Sequence, residues 1–424
     1  MGLVIQGGRL IDPKNKIDQV MNLVIEGDRV AQVSSKPVDL KGREVIDAKG
    51  MIISPGFIDL HVHLRDPGQE YKEDIRSGTE SAAAGGFTSV CCMPNTRPVN
   101  DNETVTQYIL EKAKREGFVH VLPVGAITKG SQGQELAEIG KLKEAGCVAL
   151  SDDGWPVMNS EMMRRALEYA KAFDLVVMPH CEDKHLSEGG VMNEGRSSTE
   201  MGLRGIPCQA EEIMIARDIL LADLTKSRVH FAHISSEGGV RLIREAKARG
   251  IPVTAETCPH YFSLTDEATI GYNTNAKMNP PLRGLKDREA VKSGLRDGTI
   301  DAISTDHAPH SPEEKEQEFD KAPFGIIGLE TVLPLSLALE REGVISLQQM
   351  IGLLTYQPAN ILKIKKGSLE EGAFADITLF DPLAEWVLDS GQLKSKSRNT
   401  PFNGWKMNGQ VRYTIVSGKV VYRS

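Results

Sequence analysis

Gly56-Phe57-Ile58-Asp59-Leu60-His61-Val62-His63-Leu64-Arg65-Asp66 starts as an apolar strand and ends in a histidine pair followed by charge. Side chains of a strand alternate between faces, so His61 and His63 point the same way, one pleat apart. Two imidazoles so placed can grip one metal ion, although an isolated pair fits a half-exposed strand equally well. Further along, Asp153, His180, His233 and Asp306 each stand at or just beyond the end of another apolar run. Six ligand-type residues at the ends of five strands make a site.

Outward from that stretch the chain keeps one rhythm. Apolar runs at 57–64, 88–94, 119–126, 147–151, 175–179, 229–234, 251–256 and 300–305 alternate with amphipathic segments such as 102–116, 160–172, 211–221 and 237–249. The last of these stops at Gly250 with Pro252 just beyond, a helix-end signal. Eight β-then-α units predict an α/β fold, a parallel (β/α)8 TIM barrel over 56–365, with its chemistry at the C-terminal strand ends. The chain ends read differently. Residues 1–55 hold alternating segments turned at Gly27-Asp28, and 366–424 hold others turned at Ser417-Gly418. Neither end has enough strands for a stable sheet, so the two are expected to pair in one small β-sandwich domain.

Composition is that of an ordinary globular chain of 424 residues. A net charge of −8 without long blocks argues against nucleic acid and anionic membranes as partners. The start of the chain lacks a basic region followed by a long apolar stretch, and no run suits a membrane span, so a cytoplasmic protein is expected. Six cysteines in this length do not form a disulfide framework. Cys181 follows His180, but its parity turns it away from the site. Residues 311–321 read as a solvated, mobile loop whose position also suits a lid, with Phe324-Gly325 giving backbone contacts.

Nitrogen and oxygen donors without thiolates suit zinc, with manganese or cobalt possible. Four histidines and two aspartates exceed the needs of one tetrahedral ion. The expected arrangement is His61, His63 and Asp306 on one Zn2+ and His180 and His233 on another, with Asp153 bridging if both are present. Such a centre acidifies water to a pKa of about 7, and Asp306 could pass the proton to a leaving nitrogen. Arg65 is placed to fork onto a carboxylate, and Asn95 and His310 close strands nearby. Asn279 follows the seventh strand, where a turn before prolines explains it equally well.

Together with Met93-Pro94-Asn95-Thr96, Ser151-Asp152-Asp153-Gly154, His180-Cys181-Glu182-Asp183, Asn279-Pro280-Pro281-Leu282-Arg283 and Thr305-Asp306-His307-Ala308-Pro309-His310, the opening stretch resembles the bacterial type I dihydroorotases of the amidohydrolase superfamily. The resemblance runs nearly end to end. It implies reversible hydrolysis of (S)-dihydroorotate to N-carbamoyl-L-aspartate, the third step of pyrimidine biosynthesis. It also implies Asp306 as catalytic acid/base, with Arg65, Asn95 and His310 on the substrate carboxylate. Asn279 and the Phe324-Gly325 backbone would contact the ring amides, with His63 beside the substrate.

Many relatives in that superfamily bridge their metals with a carbamylated lysine on strand four. Here the nearest lysine, Lys143, precedes that strand, so an aspartate must serve, and Asp153 rather than Asp152 follows the type I pattern. The missing lysine counts against a hydantoinase or allantoinase. A subunit supporting aspartate transcarbamoylase is the rival from another class; its non-catalytic form is disfavoured because no ligand is lost, whereas activity only in that complex stays open. A homo-oligomer is expected.

Overall fold

A computed structural model describes residues 2–424. Near its start the chain lays down β1 (Gly2–Asp12), β2 (Ile17–Glu26), β3 (Arg29–Ser34), β4 (Arg43–Asp47) and β5 (Ile52–Pro55). The barrel strands follow: β6 (Phe57–Val62), β7 (Phe87–Cys92), β8 (His120–Gly125), β9 (Ala149–Leu150) and β10 (Val176–Val177). A short ribbon of β11 (Met192–Asn193) and β12 (Gly205–Ile206) interrupts them before β13 (Val229–Phe231), β14 (Val253–Thr257) and β15 (Ala302–Ile303). The chain finishes with β16 (Ile377–Val387), β17 (Lys406–Val416) and β18 (Lys419–Arg423).

The eight barrel strands pair in parallel, each with its chain neighbour, from β6 round to β15. Each of the eight apolar runs read from the sequence overlaps one of these strands. Both faces of such a strand are covered, which is why the runs are continuous rather than alternating. The ring closes just past the last strand, where Val62 bridges to His307 and the His63 N–H donates to the His307 carbonyl at 2.8 Å. Outer helices begin at side-chain caps: Asp74 in a capping box with Ser77, Asn102, Asn159 and Ser236.

The two chain ends meet at β5 and β16, which run antiparallel with Ile53 opposite Leu379. They build one continuously bonded sheet in the order β18-β17-β16-β5-β1-β2-β3, with β4 beside the start of β1. Leu3, Ile5, Leu10, Leu23, Ile25, Ile53, Leu379 and Ile415 form an apolar core of its own. Phe57 links this sheet to the barrel floor through edge and tilted contacts with Phe87 and Phe380. Among the described residues, no helix is long and apolar enough to cross a membrane, and all six cysteines are free thiols.

Candidate active site

His61 and His63 leave the end of β6, Asp153 lies three residues past β9, His180 three past β10, His233 two past β13, and Asp306 three past β15. All six are buried and converge at the C-terminal mouth. His63 Nε2 lies 3.2 Å from Asp306 Oδ1, and His61 Nε2 lies 3.6 Å from the same oxygen. The second group is tighter: His180 Nδ1 and His233 Nε2 are 2.9 Å apart, each 3.6 Å from Asp153 Oδ1. Asp153 stands between the groups, Oδ1 at 3.3 Å from His61 Nε2 and Oδ2 at 3.5 Å from His63 Nε2.

Both ring nitrogens of His61, Asp153 Oδ1 and His233 Nδ1 are buried without a hydrogen-bond partner. Orphaned polar atoms of this kind are costly and rare. Their clustering, with His61, His63 and Asp306, and again His61, Asp153 and His233, compact enough for an ion, fits divalent metal held by nitrogen and oxygen donors. Burial opposes charge on Asp153, yet His61, His180 and His233 hold its carboxyl well below the usual range. Asp306 is likewise lowered, burial being outweighed by His63 and His61. Three site residues adopt left-handed backbone: Arg65 at φ 58°, His233 at 38° and Asp306 at 47°. For residues with side chains this is strained, by about 1–3 kcal/mol each, and such strain gathers at functional sites.

Above the donors opens a cavity of about 560 Å³. His63, Arg65, Asn95, Asn279, Asp306, His310, Phe324 and Gly325 all border it. Arg65 lies with Nη2 3.4 Å from His310 Nε2 and Nε donating to the Pro309 carbonyl. His310 Nε2 contacts the Phe324 carbonyl at 2.8 Å. Burial, then Arg65, Lys72 and Lys315, push the His310 imidazole far below its ordinary pKa, so it is neutral. Asn95 is already engaged, with Oδ1 2.9 Å from His63 Nδ1 and Nδ2 donating to Asp153 Oδ2 at 3.3 Å. Asn279 donates to Glu182 Oε2 at 2.9 Å, the oxygen that also meets His180 Nε2 at 2.9 Å.

Residues 311–321, read as a solvated loop, are mostly exposed but anchored at two points beside the mouth. Pro312–Lys315 is a helical turn, and Lys315 and Phe319 are buried. Lys315 Nζ donates to the Pro323 and Gly325 carbonyls at 2.8 and 3.1 Å. Gly325 itself has φ 131°, and a Cβ there would lie 2.8 Å from Ala308 Cβ. From the far end of the chain, Asn399 reaches in, its amide donating to the Ala308 and Gly325 carbonyls and accepting from the His310 N–H.

Two family models cover most of the chain: a dihydro-orotase-like model matches residues 50–238, and an amidohydrolase family model matches 242–422. A dihydroorotase of Geobacter metallireducens is 59% identical over 423 residues, spanning 100% of both chains. One from Geotalea daltonii is 57% identical with the same coverage. The chain belongs to the dihydroorotase family.

The solved L-hydantoinase (dihydropyrimidinase) of Arthrobacter aurescens superposes with a TM-score of 0.89 at 26% identity, covering 99% of this chain and 96% of that one. Within that shared fold, the dihydroorotase-family chain places Asp152 and Asp153 just beyond strand β9. Lys143 lies back in the helix Ile139–Ala145. Asp152 turns away, accepting from the Ile127 and Thr128 N–H groups, while Asp153 faces the histidines. Sequence reasoning missed Glu182, Lys72, Lys315, His230 and Glu256. Glu256 and His230 left a signal, as polar residues inside the apolar strands β14 and β13, and Glu182 one as part of the motif that begins at His180.

Proposed function

We propose that the chain is a dihydroorotase, catalysing reversible hydrolysis of (S)-dihydroorotate to N-carbamoyl-L-aspartate in pyrimidine biosynthesis. The observation carrying this reading is one cavity bordered on one side by Asp306 among histidine and aspartate donors, and on the other by Arg65 beside His310. Such a pairing suits a cyclic amide that bears a carboxylate. His61, His63 and Asp306 would hold one divalent ion and His180 and His233 a second, with Asp153 shared; Zn2+ fits the donors. When bound, the metal supplies an acidified water and polarises the amide carbonyl.

The remaining work falls to this chain's own side chains. Arg65 binds the substrate carboxylate, with His310 and Asn95 beside it. Asn279 and the backbone of Phe324-Gly325 orient the ring amides. Asp306, held ionised, takes a proton from the attacking water at a carboxylate oxygen and returns it to the departing ring nitrogen as the carbon–nitrogen bond breaks. Water is thereby divided between the two ends of the cleaved bond within the one ring-opened product, hydroxyl to the new carboxyl group and hydrogen to the ureido nitrogen. Residues 56–365 serve as the catalytic unit and 1–55 with 366–424 as the second, a division supported by the apolar core that the two ends build from their own residues. The same reading places the enzyme in the cytoplasm as a homo-oligomer, with aspartate transcarbamoylase a possible partner.

Hydrolysis of dihydroorotate by the purified chain, with zinc content measured in parallel, tests this directly. Activity without a partner supports a self-sufficient enzyme; activity only with aspartate transcarbamoylase supports a site completed by assembly. Turnover of hydantoins or allantoin in preference to dihydroorotate would replace the reading with the cyclic amidase suggested by the hydantoinase-like fold.

A further inference from the structure

Below the six donors, the barrel interior carries a column of polar side chains where branched apolar layers are usual. Thr254 Oγ1 meets His230 Nδ1 at 2.8 Å, and His230 Nε2 meets Glu256 Oε2 at 3.1 Å. The Ser304 hydroxyl donates to the same oxygen. Glu256 Oε1 then faces His61 Nδ1 at 3.4 Å, and neither of these two atoms has another partner. At the far side of the ring, His61 Nε2 looks onto Asp153 and Asp306. His230, Glu256 and Ser304 have no exposed surface, and His61 only 1%. Among the described residues, no Lys or Arg pairs with Glu256. A carboxylate buried this way is a poor source of stability compared with apolar packing.

We propose that Glu256 is a positioning residue for metal loading, accepting the Nδ1–H of His61 and so presenting the Nε2 lone pair to the ion; this rests on the metal-dependent reading above. One oxygen of Glu256 already receives hydrogens from His230 and Ser304, which leaves the other as an acceptor aimed at His61. An imidazole held by such a carboxylate has its tautomer and ring angle fixed, and its ligating nitrogen is more basic. His230 and Ser304 keep the carboxylate from rotating away. The backbone of Glu256 has a separate task, its carbonyl accepting the Ile234 N–H beside His233, and a side-chain substitution leaves that bond in place.

Glu256→Gln is the informative change, because its amide group cannot accept from His230, Ser304 and His61 at once. Chelator-stripped chains are titrated with Zn2+ against a competing chromophoric chelator. Weaker zinc binding in the variant by roughly 10- to 100-fold is expected. At saturating zinc most of kcat should return, with KM for dihydroorotate unchanged. Wild-type zinc affinity in a folded Glu256→Gln chain overturns the proposal, and with a lowered melting temperature it assigns a purely structural role. Should that variant not fold, Ser304→Ala must still weaken zinc binding, and unchanged affinity there overturns the proposal equally. A wild-type chain that binds no zinc overturns the metal reading itself, a different result from equal binding by both chains.

Discussion

Asp59 and Thr305 sew the first barrel strand to the end of the last: the Thr305 hydroxyl donates to Asp59 Oδ2 at 2.6 Å and its N–H to Oδ1 at 3.1 Å. Asp59 Oδ1 also accepts the His61 N–H at 3.0 Å, so one buried carboxylate sets the backbone before His61 and before Asp306 together. Thr305→Val leaves that carboxylate short of a donor and should cost about 1–3 kcal/mol in urea unfolding, with a fall in kcat. A valine variant of wild-type stability and activity would show that the seam does not set the site.

Asp306→Asn retains the shape of the side chain but removes its basicity. Turnover of dihydroorotate should fall roughly 10²–10⁴-fold while the circular dichroism spectrum stays native. Residual activity near wild type would remove Asp306 from proton transfer.

Arg65→Ala should raise KM for dihydroorotate about 10- to 100-fold, the loss expected for a hydrogen bond to a charged group. Lysine at the same position should not rescue it, because a point charge lacks the planar fork. Steady-state kinetics on both variants decide the matter, and an unchanged KM takes Arg65 out of the substrate site.

Lys315→Met removes the ammonium that gathers the Pro323 and Gly325 carbonyls at the mouth. Burial and the nearby Lys277 bring its pKa down to about 7. The expected outcome is a KM raised roughly tenfold, with kcat changed less, since the loss is of about one hydrogen bond's worth of ordering. Equal loss in kcat and kcat/KM would instead link this loop to the chemical step.

Asp218, on the helix Gln209–Thr225, is 1% exposed, and burial lifts its carboxyl to about 6 despite Arg217. The folded chain therefore keeps a proton that the unfolded chain releases between about pH 4 and 6. Its contribution to stability falls as pH rises through that window, by about 3 kcal/mol in total, and is level above it. Asp218→Asn should flatten the pH dependence of the melting temperature there; parallel curves for the two chains would refute the assignment.

The barrel was legible because a parallel strand buried on both faces leaves a continuous apolar run. Strand length was less so: runs at 147–151, 175–179 and 300–305 carry only two residues each of regular strand, Ala149–Leu150, Val176–Val177 and Ala302–Ile303. The chain leaves the ladder early to bring Asp153, His180 and Asp306 to the mouth. Strand parity also ends at Val62, so Arg65 reaches the cavity through a left-handed residue rather than by alternation. The donors themselves were readable, since each is a polar residue closing an apolar run. Their supports were not. Glu182, His230 and Lys315 gain meaning only from contacts across strands and loops. The loop at 311–321 is mostly exposed, as its charge suggests, and only the inward turn of Lys315 and Phe319 was not legible.

Asn399 is wedged against Ala308, Gly325 and His310, and its neighbours Ser395, Lys396 and Ser397 bond to Glu73 and the Lys72 carbonyl just past β6. The catalytic mouth is therefore closed by a residue 89 positions further along the chain than His310. A chain growing from its N-terminus has all six donors in hand once Asp306 has emerged, yet its rim has no keystone until Asn399 follows. A firm grip on substrate thus waits on a segment that carries none of the six.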